Sequence, residues 1–214
     1  MNEIVLSTES PSIQHLCACD KRFAKVYSMV GSITYSLHED GYAFLIHEII
    51  EQMLSQKASR TIYSRLEALC NGNVCPDTIN ALTDEEIKSI GTAWRKVNTI
   101  RNLTDSIENN VIDLNSFEEM SDEGIIKKIT SVHGIGNWTG KMYLIFVLDR
   151  QDVLPYEDVA FLQGYKWAYK TDDCSPQAVQ KKCRKWSPYA SIAARYMYRA
   201  LDYGLTRSEF HLFK

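Results

Sequence analysis

Apolar residues recur along most of this chain at the three- and four-residue spacing of an amphipathic helix. The longest such pattern covers Ala43–Leu69 and predicts one continuous helix over that range. Its inward stripe consists of Phe44, His47, Ile50, Leu54 and Ala58. Because the apolar–polar alternation of β-strands is hard to find anywhere in the chain, the pattern predicts an all-α fold.

Short motifs within this helical pattern predict where helices start and where turns lie. Thr83–Glu86 (TDEE) is a capping box and predicts a helix that begins there. Ser175 and Ser187 each stand directly before a proline, which predicts that each serine is the N-cap of a helix with Pro at its first position. Turns are predicted at 71–73 (NGN) and 203–204 (YG).

Two predicted helices, 125–132 and 137–144, are separated by the segment 133–136 (HGIG). A Gly-x-Gly turn between helices is most often a plain connector. Its glycines also permit a tight reversal with the backbone facing outward, and the helix that follows begins with unpaired N–H groups that suit a phosphate. Carbonyl oxygens on the approach suit a hard monovalent cation, Na⁺ or K⁺: those of Thr130, Val132 and Ile135.

The segment Asp152–Val159 reads as a loop that enters a helix at Pro155, with Glu157 and Asp158 in the first turn. Acidic residues in a first turn are usually ordinary partners of the helix dipole. The same position also suits an electrostatic catalyst that must stay anionic. The spacing alone does not choose between these two interpretations.

Composition narrows the class of protein. The chain of 214 residues is 45% hydrophobic and carries 24 Lys and Arg against 27 Asp and Glu, a formal charge of −3. It is therefore not a basic nucleic-acid binder by composition, and such a function must rest on local geometry. The N-terminal sequence lacks a basic start followed by an apolar run, which predicts an intracellular protein. The six cysteines include no CxxC pair, which favours free thiols over a metal site.

Four segments together resemble the helix-hairpin-helix DNA glycosylase superfamily, and within it the bacterial 3-methyladenine DNA glycosylase II type, the alkylbase group. The main one is 129–142, ITSVHGIGNWTGKM, which is similar to that family's Gly-Ile-Gly-x-Trp-Thr hairpin. The other three are Leu45–Ser55 (LIHEIIEQMLS), Asp152–Asp158 (DVLPYED) and Trp186–Arg199 (WSPYASIAARYMYR), and all four stand in family order along the chain. Gly91–Lys96 (GTAWRK) is a looser match to the family's Gly-Leu-Ser-x-x-Lys. Ala190 stands where the family usually has Arg, Glu157 where it often has Asp, and Gly140 where it has Ala.

The resemblance implies two helical lobes with an active-site cleft between them. Residues 37–150 would form the lobe that contains the helix-hairpin-helix, and 1–36 plus 151–214 the second lobe, which carries the catalytic aspartate. Asp158 aligns with that aspartate. Trp138 stands where lyase members carry a Lys, and since Trp forms no Schiff base, the resemblance implies a monofunctional glycosylase.

The resemblance also implies a role for several other residues. Trp138, Met142, Tyr156 and Trp186 would line the base pocket, although core packing explains Trp186 equally well. Gln52, Met53 and Leu54 would form the wedge that fills the stack once a base has flipped out, although without the resemblance Met53 reads as a core methionine. Phosphate contacts at the hairpin would come from Gly134, Ile135, Gly136 and Thr139.

The resulting expectation is a monomeric hydrolase that removes alkylated purines of the 3-methyladenine type from duplex DNA, the first step of base excision repair. No cofactor is required, and the hairpin offers a site for a structural Na⁺ or K⁺. No membrane contact is expected, and a bacterial source would imply a location in the cytoplasm at the nucleoid. Two alternatives stay open: a glycosylase for uracil, hypoxanthine or an oxidised purine, and a non-catalytic helix-hairpin-helix protein that binds damaged DNA. The net charge and Ala190 keep the second alternative open, whereas Asp158 argues against it because an anion near phosphates weakens binding.

Overall fold

The computed structural model describes residues 3–213, and most of them are helical, which confirms the predicted all-α fold. None of the helices in the described part of the chain is long and apolar enough to cross a bilayer. In chain order the elements are β1 (Ile4–Leu6), α1 (Pro11–Cys19), α2 (Lys21–Val30), β2 (Ile33–Tyr35), α3 (Gly41–Glu51), α4 (Gln56–Leu69), α5 (Pro76–Ala81), α6 (Asp84–Ser89), α7 (Trp94–Glu108), α8 (Asp122–Thr130), α9 (Asn137–Phe146), α10 (Val159–Tyr169), α11 (Pro176–Cys183) and α12 (Ala190–Asp202).

The chain divides into two compact units. The first consists of Met1–Leu37 and Asp149–Lys214, and the second is His38–Leu148. The predicted boundaries, at 37 and 150, lie next to these. The second unit is thus a continuous segment, whereas the first is built from both ends of the chain.

A small antiparallel sheet in the first unit was not predicted. It pairs Ile4 with Tyr35 and Leu6 with Ile33. Each strand has three residues, which is too short for an alternating pattern to stand out from the helical background.

The core of the first unit forms where α10 packs on α12. A Cβ atom added to Gly164 would lie 2.8 Å from Cβ of Met197, so the glycine allows the two helices to approach closely. Phe23, Tyr165 and Tyr196 are completely buried around this contact, and each such side chain contributes about 1.5–3 kcal/mol of hydrophobic free energy.

Asp20 organises the polar part of the same core. Its side chain caps α2 by accepting from the first-turn N–H groups, and its Oδ2 accepts from Trp186 Nε1 at 2.9 Å and from the Tyr169 hydroxyl. The Lys185 ammonium lies 3.1 Å from the same oxygen. Burial opposes ionisation, but these hydrogen bonds and the lysine charge outweigh it, so the pKa of Asp20 lies below its ordinary value. The carboxylate is a buried anion whose partners satisfy it.

The second unit has its own core. Ile49, Ile100 and Leu144 are among its fully buried side chains and come from α3, α7 and α9, with α3 packed against both of the others. The two ends of the unit meet, because the N–H of His38 donates to the carbonyl of Phe146 at 3.0 Å.

The predicted continuous helix over Ala43–Leu69 is wrong. The structure has α3 ending at Glu51 and α4 beginning at Gln56. Ser55 starts the second helix, since its hydroxyl accepts from the N–H of Ala58 at 3.4 Å. The stripe is therefore shared by two helices, and the residues between them are free to take another conformation.

The predicted helix starts are confirmed at two positions and wrong at the third. Thr83 caps α6 with the full capping box, and Ser175 caps α11. Ser187 instead ends a short 3₁₀ turn and is followed by a cis peptide bond to Pro188. The start of α12 lies further on, after Tyr189.

Candidate active site

Asp158 is the N-cap of α10. Its Oδ1 accepts from the N–H of Phe161 at 2.7 Å, and the residue is 8% exposed. The predicted helix start at Pro155 is wrong: the carbonyl of Pro155 accepts from the N–H of Asp158 in a turn that precedes the helix. The carboxylate therefore lies at the positive end of the helix dipole.

The loop that leads to Asp158 is fixed on the start of α12. Asp152 accepts from the N–H of Ala190 at 3.2 Å and from the Ser187 hydroxyl at 2.5 Å. The Ser191 hydroxyl accepts from the N–H of Val153 at 2.9 Å. These bonds replace the cap predicted for Ser187 and leave the loop little freedom. No local pattern predicts these bonds, because the partners are far apart in the chain.

The hairpin in the second unit follows the sequence prediction closely. Helix α8 ends at Thr130 and α9 begins at Asn137. Gly134 has φ +96°, and a Cβ atom there would lie 2.1 Å from Oγ1 of Thr99. Only glycine fits this turn.

Three positions around the start of α9 offer a ligand main chain rather than a side chain. Gly136 has open space around its Cα, whereas the side chains of Ile135 and Thr139 are buried. The hydroxyl of Thr139 makes no hydrogen bond. Any contact of Ile135 or Thr139 with a phosphate must therefore go through the main chain. The N–H of Ile135 already donates to the carbonyl of Val132 at 3.1 Å, whereas the first N–H groups of α9, including that of Thr139, have no intrahelical acceptor.

The segment Gln52–Ser55, which we call the wedge loop, joins α3 to α4. Met53 is 95% exposed, so the core interpretation of this residue is wrong. It also has φ +61°, an uncommon conformation for a residue other than glycine. Leu54 is 38% exposed beside it. Gln52 donates from Nε2 to the carbonyl of Gly134 at 3.2 Å, which links the wedge loop to the hairpin.

Lys96 is the residue that sequence reasoning missed at this loop. Its ammonium donates to the carbonyls of Ile50 at 2.6 Å and Gln52 at 2.7 Å. The side chain is buried, and burial, followed by the charge of Arg95, lowers its pKa. The segment Gly91–Lys96 (GTAWRK) contains no pattern that indicates that its lysine caps α3.

The predicted base-pocket residues differ in accessibility. Trp138 in α9 and Tyr156 in the loop before Asp158 are half-buried, whereas Met142 is buried. Burial, with a smaller effect of Glu157, raises the pKa of Tyr156. Trp186 is completely buried and bonded to Asp20, so the structure contradicts the prediction that it lines a base pocket.

His47 carries a pH-dependent contribution to the stability of α3. Its Nδ1 lies 3.3 Å from Glu48 and 3.6 Å from Glu51. The hydrogen bond with Glu48 raises the pKa of His47 above 6.5, against the effect of burial and of Arg60. A raised pKa means that the stabilisation is complete below pH 6.5 and is lost as the pH rises through the folded-state pKa.

We therefore expect His47→Gln to reduce the free energy of unfolding more at pH 5.5 than at pH 8.5. Urea denaturation of both proteins across this range measures the difference. A constant difference between wild type and variant would show that folding does not raise the pKa of His47.

This helical chain has the two features of the helix-hairpin-helix class of proteins. One is the hairpin between α8 and α9, and the other is a buried aspartate that caps a later helix. The chain belongs to the HhH-GPD superfamily of base excision DNA repair proteins, whose family model matches residues 46–188.

The similarity to characterised proteins extends over nearly the whole chain. DNA-3-methyladenine glycosylase 1 of Schizosaccharomyces pombe is 27% identical over 204 residues, 92% of this chain and 89% of that protein. The crystal structure of a DNA-3-methyladenine glycosidase from Bacillus halodurans matches with a TM-score of 0.85 and 29% identity, over 98% of this chain and 97% of that one. The structure of the S. pombe 3-methyladenine DNA glycosylase in complex with abasic DNA matches with a TM-score of 0.83 and 26% identity, over 90% of this chain and 97% of that one.

Proposed function

We propose that this protein is a monofunctional DNA glycosylase that hydrolyses the N-glycosidic bond of alkylated purines in duplex DNA. It acts as a monomer inside the cell, at the first step of base excision repair. The observation that carries the proposal is Asp158, a buried carboxylate fixed at the start of α10. The similarity to 3-methyladenine glycosylases over nearly the full length supports the choice of substrate.

Asp158 is the proposed catalytic residue. An N-alkylated purine carries a positive charge and is a good leaving group, so little acid catalysis is needed. As the bond to the base breaks, positive charge develops on the deoxyribose. An anion already held in place stabilises that charge without reorganisation, and water completes the hydrolysis.

The absence of a lyase step follows from Trp138. An amine nucleophile at this position would attack the sugar and form a Schiff base. Tryptophan offers no such nucleophile, so the proposed product is an abasic site with an intact DNA backbone.

Base flipping is assigned to the wedge loop. The target base is unreachable inside the duplex and must leave the stack, and an apolar side chain that fills the gap offsets part of the unstacking cost. Met53 supports this role because nearly its whole side chain is exposed. Gln52 and Leu54 flank it on the same loop.

Stacking on the released base is assigned to Trp138 and Tyr156. Both rings have accessible surface, and an electron-poor alkylated purine is attracted by an aromatic face. Met142 is buried and is proposed only as packing behind Trp138.

The hairpin is the proposed phosphate contact. Backbone N–H groups from Gly136 onward, at the start of α9, would hold the phosphate, and the carbonyls of Thr130, Val132 and Ile135 would hold Na⁺ or K⁺. Carbonyls at the end of α8 fit such an ion because the last carbonyls of a helix lack intrahelical donors. That of Val132 accepts one bond, from Ile135 at 3.1 Å, and a carbonyl oxygen can accept two. The ion would add positive charge beside the phosphate.

Substituting the two hairpin glycines one at a time should separate an effect on stability from an effect on DNA binding. Gly134→Ala is expected to lower the free energy of unfolding by about 2 kcal/mol or more, because of the positive φ and the clash with Thr99. Gly136→Ala has an ordinary φ of −107° and no neighbour, so its stability should change by less than about 1 kcal/mol. Its methyl group would obstruct the phosphate, and we expect the affinity for duplex DNA to fall about tenfold, which corresponds to about 1.4 kcal/mol. Urea denaturation and fluorescence anisotropy measure the two effects, and unchanged affinity in Gly136→Ala would remove the hairpin from the DNA interface.

Release of methylated purines from alkylated DNA tests the proposed function. The expected result is liberation of 3-methyladenine without strand cleavage. Single-lesion duplexes containing uracil, hypoxanthine or 8-oxoguanine distinguish the other glycosylase activities. Tight binding to an abasic-site analogue with no release from any substrate would overturn the enzymatic proposal and leave a DNA-damage-binding protein.

A further inference from the structure

Helix α7 contacts both segments of the second unit that we assign to DNA. Lys96 and Thr99 lie three residues apart in this helix and therefore on the same face. Lys96 binds the carbonyls at the end of α3, and Thr99 packs against Gly134 of the hairpin. One rigid helix thus supports the wedge loop and the hairpin side by side.

The ammonium of Lys96 caps the C-terminal end of α3 with charge-assisted hydrogen bonds. Its buried ammonium donates to Ile50 and Gln52 at 2.6 and 2.7 Å, where α3 ends and its dipole is negative. A buried positive charge is costly unless it is hydrogen-bonded, so the position of the ammonium and that of the two carbonyls fix each other.

The wedge loop needs this support because its conformation is strained. Met53 has φ +61°, which costs an ordinary residue on the order of 1–2 kcal/mol. The N–H of Leu54 closes the turn on the carbonyl of Glu51 at 2.9 Å. A strained residue persists only where its surroundings hold it, and Lys96 binds the carbonyl directly before Met53.

The wedge loop and the hairpin are also joined directly. Gln52 donates to the carbonyl of Gly134 at 3.2 Å, the same glycine that packs on Thr99. Lys96, Gln52, Gly134 and Thr99 therefore form a continuous ring of contacts within the second unit.

We propose that Lys96 is a positioning residue that fixes the wedge loop at a set distance from the hairpin. The inference rests on the proposed function. When the hairpin holds a phosphate, this fixed spacing directs Met53 to one base step, so that phosphate contact and base flipping act together. Lys96 itself touches neither the base nor the phosphate.

Lys96→Met tests the proposal, since methionine keeps an apolar unbranched chain and removes the ammonium. We expect single-turnover release from a lesion in a fully paired duplex to fall about 10- to 100-fold, because a displacement of about 1 Å can cost this much. Release from the same lesion opposite an abasic site should fall much less, since that base is already unpaired. Lys88→Met, which removes a positive charge in the same unit, should match wild type on both substrates.

A double-mutant cycle separates positioning from general destabilisation. If Lys96 acts through Met53, Lys96→Met should add little loss of activity in a Met53→Ala background. Full additivity, or equal losses on the two lesion contexts, would overturn the proposal. If Lys96→Met unfolds, Gln52→Ala replaces it as the test, because it removes the bond between the wedge loop and the hairpin. It should show a smaller loss with the same dependence on context, and the absence of that dependence would also overturn the proposal.

Insertion of the wedge can be followed without base release. 2-Aminopurine placed opposite an abasic-site analogue should change its fluorescence when wild-type protein binds, and Lys96→Met and Met53→Ala should both reduce the change. If wild type releases no base but Lys96→Met still weakens this signal, the glycosylase proposal fails and the positioning role stands. If wild type releases the base and Lys96→Met equals it in base release and in the fluorescence change, the glycosylase proposal stands and the positioning role fails.

Discussion

Asp158→Asn is expected to lower the rate of base release by at least about 10²-fold with little change in stability. Asparagine is as good an N-cap as aspartate, and its side-chain oxygen can still accept from the N–H of Phe161, so α10 should start at the same residue. Under the proposed mechanism, the variant loses the negative charge that stabilises the developing positive charge on the sugar. Single-turnover release from alkylated duplex DNA, together with urea denaturation, measures both quantities.

Asp40→Asn is the matched control. Asp40 is also an N-cap, of α3, where its side chain accepts from the N–H of Ala43 at 2.9 Å, but it is exposed and has no assigned role. Both variants change one N-cap carboxylate to an amide, and only Asp158→Asn should lose activity. Full activity in Asp158→Asn would refute the proposed mechanism.

Asp20→Ala is expected to cause the largest loss of stability, about 3–5 kcal/mol, because it removes one partner from a buried charged cluster. Trp186 and Tyr169 would each lose a buried acceptor, Lys185 would lose its ion pair, and α2 would lose its cap. The free energy of unfolding, measured by urea denaturation at pH 7, gives the size of the effect.

Two comparisons check this interpretation of Asp20. Asp40→Ala removes an exposed cap and should cost only about 1 kcal/mol; equal losses in the two variants would mean that the buried hydrogen bonds contribute nothing. The low pKa of Asp20 also sets the pH dependence. Its stabilisation is complete above the ordinary pKa of 3.8 and is lost as the pH falls through the lowered folded-state value, so the difference between wild type and Asp20→Ala should persist to about pH 4.

Features encoded locally could be predicted from the sequence. The helical spacing gave the all-α fold, the hairpin helices were placed within a few residues, and the capping box at Thr83 was confirmed. Each of these depends on residues within one or two turns of each other. The family followed from several segments in the right order, which no single motif would have established.

Features that depend on distant partners could not be predicted. Helix α3 ends where Lys96, far along the chain, binds its carbonyls. The start of α12 is set by Asp152 and not by the Ser187-Pro188 signal. Trp186 reads equally well as a pocket or a core residue until its bond to Asp20 is seen. In each case tertiary hydrogen bonds decide between local alternatives that the sequence leaves equal.

The bond between His38 and Phe146 has a consequence for how the chain is built. A segment whose two ends are joined can be treated as an insertion, because closing it costs the host part of the chain little extra entropy. His38–Leu148 should therefore tolerate a circular permutation in which a short linker connects its ends and new termini open in an exposed turn such as Asn109-Asn110.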